Sequence, residues 1–351
     1  MWTEAFVSVY YYAMSRPALP LSSIAWTAEL AGLFGEAMAA ISALYARISA
    51  SSVAQPWRNR MIWKGYSTAL QLQRYEIDEI DVFSQTTGVP IAGRTSVATA
   101  GRPFDAFGEW ELSFDRATVR HWREGLPFSF DPPDTWSAAP LLIRALTLLD
   151  IWSRQDPSPR PWLCFPQLLA SMNVAASALP CLVIGDLSLR TLHGPRERQL
   201  KRLLKALRSS AADGLERLDR LEGWRLNFAT ALAEERRPGL LRDLGILVLS
   251  QPLVTARLIA DTFDITLSGA GKLLARAASH RLLVEVSGRN SWRLYVAPDV
   301  GIALGLISTP RGRPPSPPRR TEKLDLVLAD FDREMEEIDT LLENVQNSRP
   351  S

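Results

Sequence analysis

Four carboxylates lie within one short segment of the chain, EIDEID. They are Glu76, Asp78, Glu79 and Asp81. Clustered carboxylates could hold Mg²⁺ or act as an acid and base pair. A structural interpretation is favoured, because Ile77 and Ile80 alternate with the acids and would be buried on one side of a helix end. The acids would then face water or form ion pairs with basic residues upstream, which are Arg58, Arg60 and Lys64.

The other candidates for chemistry are three histidines and two cysteines. They are His121, His193, His280, Cys164 and Cys181. The histidines are far apart in sequence and lack ligand spacing, and both cysteines have apolar surroundings, so we expect neither a metal cage nor a disulfide framework. No nucleophilic elbow, triad or glycine-rich phosphate loop is recognisable. The sequence therefore predicts no catalytic residue, no metal and no cofactor.

Residues 257–274, RLIADTFDITLSGAGKLL, have the pattern of two short helices joined by a tight turn. Thr255 can cap a first helix over 255–263, in which the small Ala260 lies where the two helices must approach closely. Asp264 occupies the turn position that glycine usually holds, and aspartate tolerates that position better than most residues. Ile265 is then expected to point back into the core.

A second helix is predicted over 267–278. Its buried stripe would consist of Leu267, Ala270, Leu273 and Leu274. Its other face is small, polar and basic, with Ser268, Gly269, Gly271, Lys272 and Arg276. The segment 281–297 then alternates, turns at GRN and alternates again, which predicts a β-hairpin. Helix, turn, helix and a basic-tipped hairpin, in this order, predict a winged helix.

A winged helix reads duplex DNA with its second helix in the major groove. We expect Ser268, Lys272 and Arg276 to approach bases or phosphates, and Arg289 and Arg293 of the hairpin to contact the flanking backbone. Thr255, at the start of the first helix, completes the predicted DNA-binding set. Two core helices with this spacing are also common in ordinary domains, and the hairpin after them is what favours DNA binding.

A second basic element, residues 193–226, carries an apolar stripe. The stripe consists of Leu200, Leu203, Leu204 and Leu207. Six basic side chains spread over its exposed faces, opposed only by Glu197. They are Arg196, Arg198, Lys201, Arg202, Lys205 and Arg208. A solvated face is the favoured interpretation, and the alternative is a secondary contact with DNA phosphates.

Charge divides unevenly along the chain, since residues 1–189 hold 14 Lys and Arg against 17 Asp and Glu, whereas residues 190–298 hold 19 against 11. The Pro- and Arg-rich segment 308–320 is predicted to be an extended linker. The acidic segment after it has a heptad seam. The seam residues are Leu324, Leu328, Phe331, Met335, Ile338, Leu342 and Val345. This seam favours a homodimer, whereas the excess of acids leaves open that the helix folds back onto residues 196–208 or the hairpin.

Several stretches resemble, in the same order, a bacterial and often plasmid-borne family of uncharacterised proteins. They include RPGLLRDLGILVL and its continuation to WRLYV, ALPCLVIGDLSLR, GLERLDRLEGWR, and the upstream stretch from PWRNRMIWKGY to AFGEWE. That family joins an N-terminal domain of unknown function to a C-terminal helix-turn-helix. The resemblance implies DNA binding and supplies no reaction. The family's wing tip is closer to Gly-Arg-Gly-Arg-Tyr-Arg, and because GRNSWRLY keeps only Arg289 and Arg293, we expect reduced affinity through the hairpin.

The winged-helix part also resembles the C-terminal module of proteins with a Fic adenylyl-transfer domain. That chemistry needs a His general base followed by an Asn- and Gly-rich anion loop that ends in Arg. His193, in LHGPRERQ, is followed by no such loop. We therefore do not expect Fic-like nucleotidyl transfer.

The sequence thus predicts a mainly α protein. Its predicted parts are a helical N-terminal domain (1–189), a basic helical connector (190–237), a winged helix-turn-helix (238–298), a linker (308–320) and an acidic, coiled-coil-like helix (321–347). The predicted function is sequence-specific binding of double-stranded DNA, by a transcriptional regulator or plasmid maintenance protein that forms a homodimer. An enzyme or effector-binding module in the N-terminal domain is the alternative. We read neither a signal peptide nor a membrane span, which predicts a cytoplasmic protein.

Overall fold

The computed structural model describes residues 19–88, 102–114, 121–191, 195–287, 293–308 and 321–347. These residues are mainly helical, as predicted. The first helices are α1 (Ala28–Ser49), α2 (Ala54–Leu72), α3 (Glu79–Thr87) and α4 (Phe107–Leu112). They are followed by α5 (Leu141–Gln155), α6 (Arg160–Leu163), α7 (Phe165–Ser171), α8 (Ser188–Thr191) and the 39-residue α9 (Arg196–Glu234).

The remaining elements include the only strands in the part of the chain that the structure describes. They are α10 (Leu241–Ser250), β1 (Leu253–Thr255), α11 (Ala256–Phe263), α12 (Leu267–Ser279), β2 (Val284–Glu285), β3 (Leu294–Val296), α13 (Pro298–Ala303) and α14 (Glu322–Asn347). The strands form an antiparallel sheet of order β1-β3-β2. Its register pairs Leu253 and Val284 with Val296 on either side of β3.

The chain divides into two compact units. The first contains residues 1–43, 68–76 and 112–211, and the second contains residues 44–67, 77–111 and 212–351. The units alternate along the sequence, whereas the predicted domains follow one another. Each unit therefore takes residues from both halves of the chain, and α9 contributes to both.

The first unit is built around α5, whose apolar residues recur at helical spacing and are almost all buried. It packs against α6, α7, α8 and the 3-10 turn Leu21–Ser23. The helix ends at Gln155 because Asp156 precedes a proline, and Asp156 accordingly has extended backbone angles (φ −119°, ψ 108°). Three polar residues of α5 are also buried: Thr147, Asp150 and Ser153.

The second unit has an aromatic core on the last turns of α9. Trp224 and Phe228 stack with ring centroids 5.4 Å apart, and the Trp224 indole N–H donates to the carbonyl of Leu282 over 2.9 Å. Gly245 of α10 lies directly against Phe228, since a Cβ at this position would be 2.0 Å from the ring. Only glycine therefore lets α10 approach this ring so closely.

No helix among the residues that the structure describes is long and apolar enough to cross a membrane.

Candidate nucleic-acid interface

A tight turn separates α11 from α12. The Thr255 hydroxyl accepts a hydrogen bond from the backbone N–H of Leu258 over 3.2 Å, which confirms the predicted cap of the first helix. The chain leaves α11 through Asp264, whose φ of 50° and ψ of 49° lie in the left-handed region. The next backbone N–H, of Ile265, donates to the carbonyl of Ala260. The two helices and the turn thus lie where the sequence predicts them.

Helix α12 has one buried and one exposed face. Its first turn is capped by Thr266, whose hydroxyl accepts from the backbone N–H of Gly269 over 3.1 Å. The buried face consists of Ala270, Leu273, Leu274 and Ala277. Ser268 and Lys272 are both exposed, and at four residues apart they lie on one side of the helix. The first two turns of α12 therefore offer a hydroxyl and an ammonium group to solvent.

Leu267 is not part of the buried stripe, contrary to the sequence-based expectation. Its exposed fraction is 61%. Leu267 is the first residue of α12, and Ile265 in the preceding turn is the residue that becomes partly buried. The predicted stripe included one residue too many at its start. Helical spacing shows which residues share a face, but it does not show whether another element packs over the end of that face.

Arg276 is held by the end of α9 and by the segment after it. Its guanidinium binds Glu235 through Nε (2.9 Å) and Nη2 (2.8 Å), and Nη2 also donates to the carbonyl of Arg237 over 2.8 Å. His280 Nε2 lies 2.9 Å from the same Glu235 carboxylate. The hydrogen bond from Arg276, with that from His280, keeps the pKa of Glu235 below its usual value. Arg276 thus anchors the last turn of α12, a task that the sequence did not reveal.

The hairpin is described only at its base. The backbone N–H of Leu294 donates to the Ser287 hydroxyl, and the strands pair Glu285 with Tyr295. Arg293, which is half-exposed, has its Nε 3.7 Å from the carboxylate of Glu285. The predicted turn at GRN, and Arg289 with it, lies outside the described residues.

The basic face of α9 is largely neutralised within the first unit, which corrects the prediction of a free face opposed only by Glu197. Arg196 binds the buried Asp150. Three more bases bind acids from distant segments: Lys201 to Glu29, Arg202 to Asp186 and Arg208 to Glu36. Arg198 and Lys205 are exposed, and they remain the two candidates for a secondary phosphate contact. The stripe of four leucines is buried as predicted.

Three of the four carboxylates of EIDEID have structural roles, and the fourth, Glu76, is exposed. Asp78 and Asp81 form a reciprocal capping box at the start of α3, and Ile77 and Ile80 are buried as predicted. Glu79 pairs with Arg217 over 2.9 Å rather than with the predicted bases upstream. The segment is therefore a helix start and an ion pair. Within the described ranges, no group of three His, Cys, Asp or Glu could hold a metal.

The Cys164 thiol shows no sign of activation as a nucleophile. Burial raises the pKa of the Cys164 thiol to about 11, so this thiol is protonated at neutral pH. Cys164 and Cys181 form no disulfide bond. His193 lies outside the described residues.

A buried ion pair joins α2 to the start of α13. Arg60 donates through Nη1 to the carboxylate of Asp299, and both side chains are more than 90% buried. Three further atoms of the pair, Arg60 Nε, Arg60 Nη2 and Asp299 Oδ1, are buried without a hydrogen-bond partner among the described residues. Burial lowers the pKa of Arg60 to about 9, which still leaves it charged at neutral pH. The sequence places Arg60 among the predicted partners of the acids of EIDEID, whereas its partner Asp299 lies 239 residues away along the chain.

Helix α14 folds back onto its own chain. Leu324, Phe331 and Met335 of the predicted seam are buried, and the Phe331 ring packs edge-on against Phe228 with centroids 6.1 Å apart. Three ion pairs fix the helix: Arg225 with Asp332, and Arg242 with both Glu334 and, at 4.0 Å, Asp330. The fold-back alternative therefore describes this helix, but its basic partners differ from the predicted ones. The last three seam side chains and residues 309–320 of the linker lie outside the described part.

Comparison with known proteins gives one distant relative and no assigned activity. No family model matches the chain. The chain is 24% identical over 212 residues to "Uncharacterized protein y4cF" of Sinorhizobium fredii (strain NBRC 101917 / NGR234). The match covers 58% of this chain and 52% of the relative, so it spans about half the length of that protein. The name of the relative states no function.

Proposed function

We propose that residues 238–298 form a winged helix that binds double-stranded DNA in a sequence-specific manner. The observation that carries this proposal is the order α10, β1, α11, turn, α12, β2, β3, together with the sheet order β1-β3-β2. Winged helices place the second helix of the helix-turn-helix, which is α12 here, in the major groove and the hairpin beside it. The polar, exposed start of α12 suits that position.

The proposed contacts follow from the exposed polar groups and the hydrogen-bond donors that each side chain can offer to DNA. Ser268 and Lys272 face solvent and can reach base edges or phosphates. The Thr255 hydroxyl accepts the capping bond, so its own O–H can still donate to a phosphate oxygen. Arg293 and Arg289 would contact the flanking backbone. Arg276 can take part only after it leaves Glu235.

A transcriptional regulator and a plasmid maintenance protein would both use this interface, and either would act in the cytoplasm. Mapping of the bound DNA across the genome distinguishes a few sharp sites, as for a regulator, from broad coverage. The sites found in this way also supply the duplex for measurements of affinity.

Replacing Lys272 by alanine is expected to weaken duplex binding and to lower the slope of log K against log salt by about 1, because one phosphate contact is lost. Fluorescence anisotropy of a labelled duplex at several salt concentrations measures both quantities. Lys323→Ala is the matched control, since Lys323 is also an exposed helical lysine but lies on α14. If both variants bind DNA like the unaltered chain, the interface is assigned wrongly.

A homodimer remains part of the proposal, because a two-fold symmetric DNA site needs two half-site readers. Its contact is proposed to lie outside the first part of the seam of α14, since Leu324, Phe331 and Met335 are buried in their own chain. The Phe331→Glu variant, which places a charge in the seam, is therefore expected to keep the oligomeric mass of the unaltered chain. Sedimentation velocity at equal concentrations measures that mass. If the unaltered chain is a dimer and the Phe331→Glu variant is a monomer, the dimer contact lies on α14 after all.

A further inference from the structure

A cavity lies in the second unit under α14. Its volume is about 420 Å³, which is within the range of pockets that hold small organic ligands. Its apolar lining comes from three segments: Phe228 and Leu232 on α9, Pro238 in the following turn, and Val327 and Phe331 on α14. Two aromatic rings and a proline ring favour an aromatic ligand, because such rings pack edge-on or offset against one another.

The acidic groups around this cavity face basic partners, whereas two of its basic groups pair with no acid of the described residues. Each acid faces a base: Glu334 binds Arg242 through Oε1, although its Oε2 is buried without a hydrogen-bond partner among the described residues, and Asp330 lies 4.0 Å from Arg242. Glu235 binds Arg276 and His280. Two bases on the rim, Arg236 and Lys323, are exposed and form no ion pair with a described residue. The charge left to act on a ligand is therefore positive, and it favours an anionic group such as a carboxylate or sulfonate.

We propose that this cavity binds a small aromatic anion, whose ring packs beside Phe228 and Phe331 and whose acidic group is held by Arg236 and Lys323. Nothing in this part of the proposal depends on DNA binding.

A ligand in the cavity would also change how firmly the last turn of α12 is held. Glu235 lines the cavity and at the same time holds Arg276 and His280 on the last turn of that helix. An anion bound beside Arg236 repels the Glu235 carboxylate and weakens its hold on both groups. This regulatory part rests on the proposed function, since it matters only if α12 reads DNA.

Two fluorescent probes test the site on the full chain. Anilinonaphthalene sulfonate has an aromatic body and one anionic group, and N-phenylnaphthylamine is its neutral counterpart. We expect saturable binding of one sulfonate probe per chain, and affinity for the neutral probe at least about tenfold weaker. Binding without saturation, or equal affinity for both probes, would overturn the assignment.

Variants locate the binding. The double change Arg236→Gln and Lys323→Gln is expected to lower affinity for the sulfonate about tenfold and to leave the neutral probe unaffected. The matched control removes two exposed charges elsewhere, by Arg198→Gln and Lys205→Gln, and should change neither affinity. Val327→Trp should fill the cavity and abolish both. Circular dichroism and melting curves identify any variant that binds probe because it is unfolded, and the rim variant, altered only at exposed positions, then decides the question.

Hydrogen exchange tests the coupling without DNA. The sulfonate probe is expected to speed amide exchange in the last turn of α12, around Arg276 and His280, and Glu235→Gln should reproduce this change in the absence of probe. If the probe binds but exchange there is unaltered, the coupling is wrong and the cavity stands. If the probe binds and DNA does not, the proposed function fails while the cavity again stands. No probe binding to the full chain overturns the inference itself.

Discussion

Replacing Arg60 by alanine is expected to lower the free energy of unfolding by about 3–5 kcal/mol, the range found when one partner of a buried ion pair is removed. The variant leaves the Asp299 carboxylate buried without its cation, and one of its oxygens already has no hydrogen-bond partner among the described residues. Folding must then keep a carboxylate out of water or protonate it, and both outcomes cost free energy. Urea denaturation followed by circular dichroism measures the change.

Two further variants separate this effect from the loss of side-chain volume. Arg58→Ala makes the same change two residues away on the same helix, at a half-buried position, and should cost well under about 1 kcal/mol. The double change Arg60→Met and Asp299→Leu removes both charges and is expected to recover most of the stability, because buried pairs are often replaceable by apolar residues. An Arg60→Ala variant as stable as Arg58→Ala would show that Asp299 has water to replace the guanidinium.

The second large effect is expected at Asp150, whose replacement by alanine should also cost about 3–5 kcal/mol. Asp150 is completely buried, and its carboxylate receives hydrogen bonds from Arg196 (Nη1 at 3.1 Å, with a second bond from Nη2) and from Arg154 at 2.8 Å. Without it, two mostly buried guanidinium groups approach each other with no anion to offset their repulsion. Thermal and urea unfolding of the full chain measure the loss.

The matched control for Asp150 is an exposed ion pair in the same unit. Glu36 and Arg208 are each about half-exposed, so Glu36→Ala should cost no more than about 1 kcal/mol. Asp150→Asn keeps the size and loses only the charge, and it is expected to be nearly as harmful as the alanine variant. A harmless Asp150→Asn would mean that volume, rather than charge, is what α5 needs at this position.

Local features of the fold were predictable from the sequence because their causes are local. A threonine before an apolar run caps α11, and an aspartate at the end of that helix adopts the left-handed turn, since both effects depend on a few neighbouring residues. Helical spacing likewise identified the buried leucines of α9. It failed at Leu267, where burial depends on whether another element covers the helix start.

Long-range pairing was not predictable, because the charge of a residue does not say which distant segment will face it. The ion pairs that illustrate this depend on the tertiary fold: Glu235 with Arg276, and Asp299 with Arg60. The three acids that bind basic side chains of α9 depend on it in the same way. The candidate DNA-binding set therefore contained Arg276 although the fold already uses it. The cavity under α14 was missed for the same reason: its walls come from segments separated by about a hundred residues, and no local pattern marks them.

Helix α14 packs onto other elements of its own chain, so its docking is an intramolecular event. Only twelve residues, 309–320, separate Ser308 from Thr321, the residue before α14, so the helix docks at an effective concentration of the order of millimolar. Weak contacts are thus enough to keep the helix in place, and a separate peptide of the same sequence competes poorly with it. Since α14 supplies Lys323, Val327 and Phe331 to the cavity, that cavity exists only while the helix is docked. A ligand bound in the cavity would therefore stabilise the docked position of α14 in proportion to its affinity and concentration.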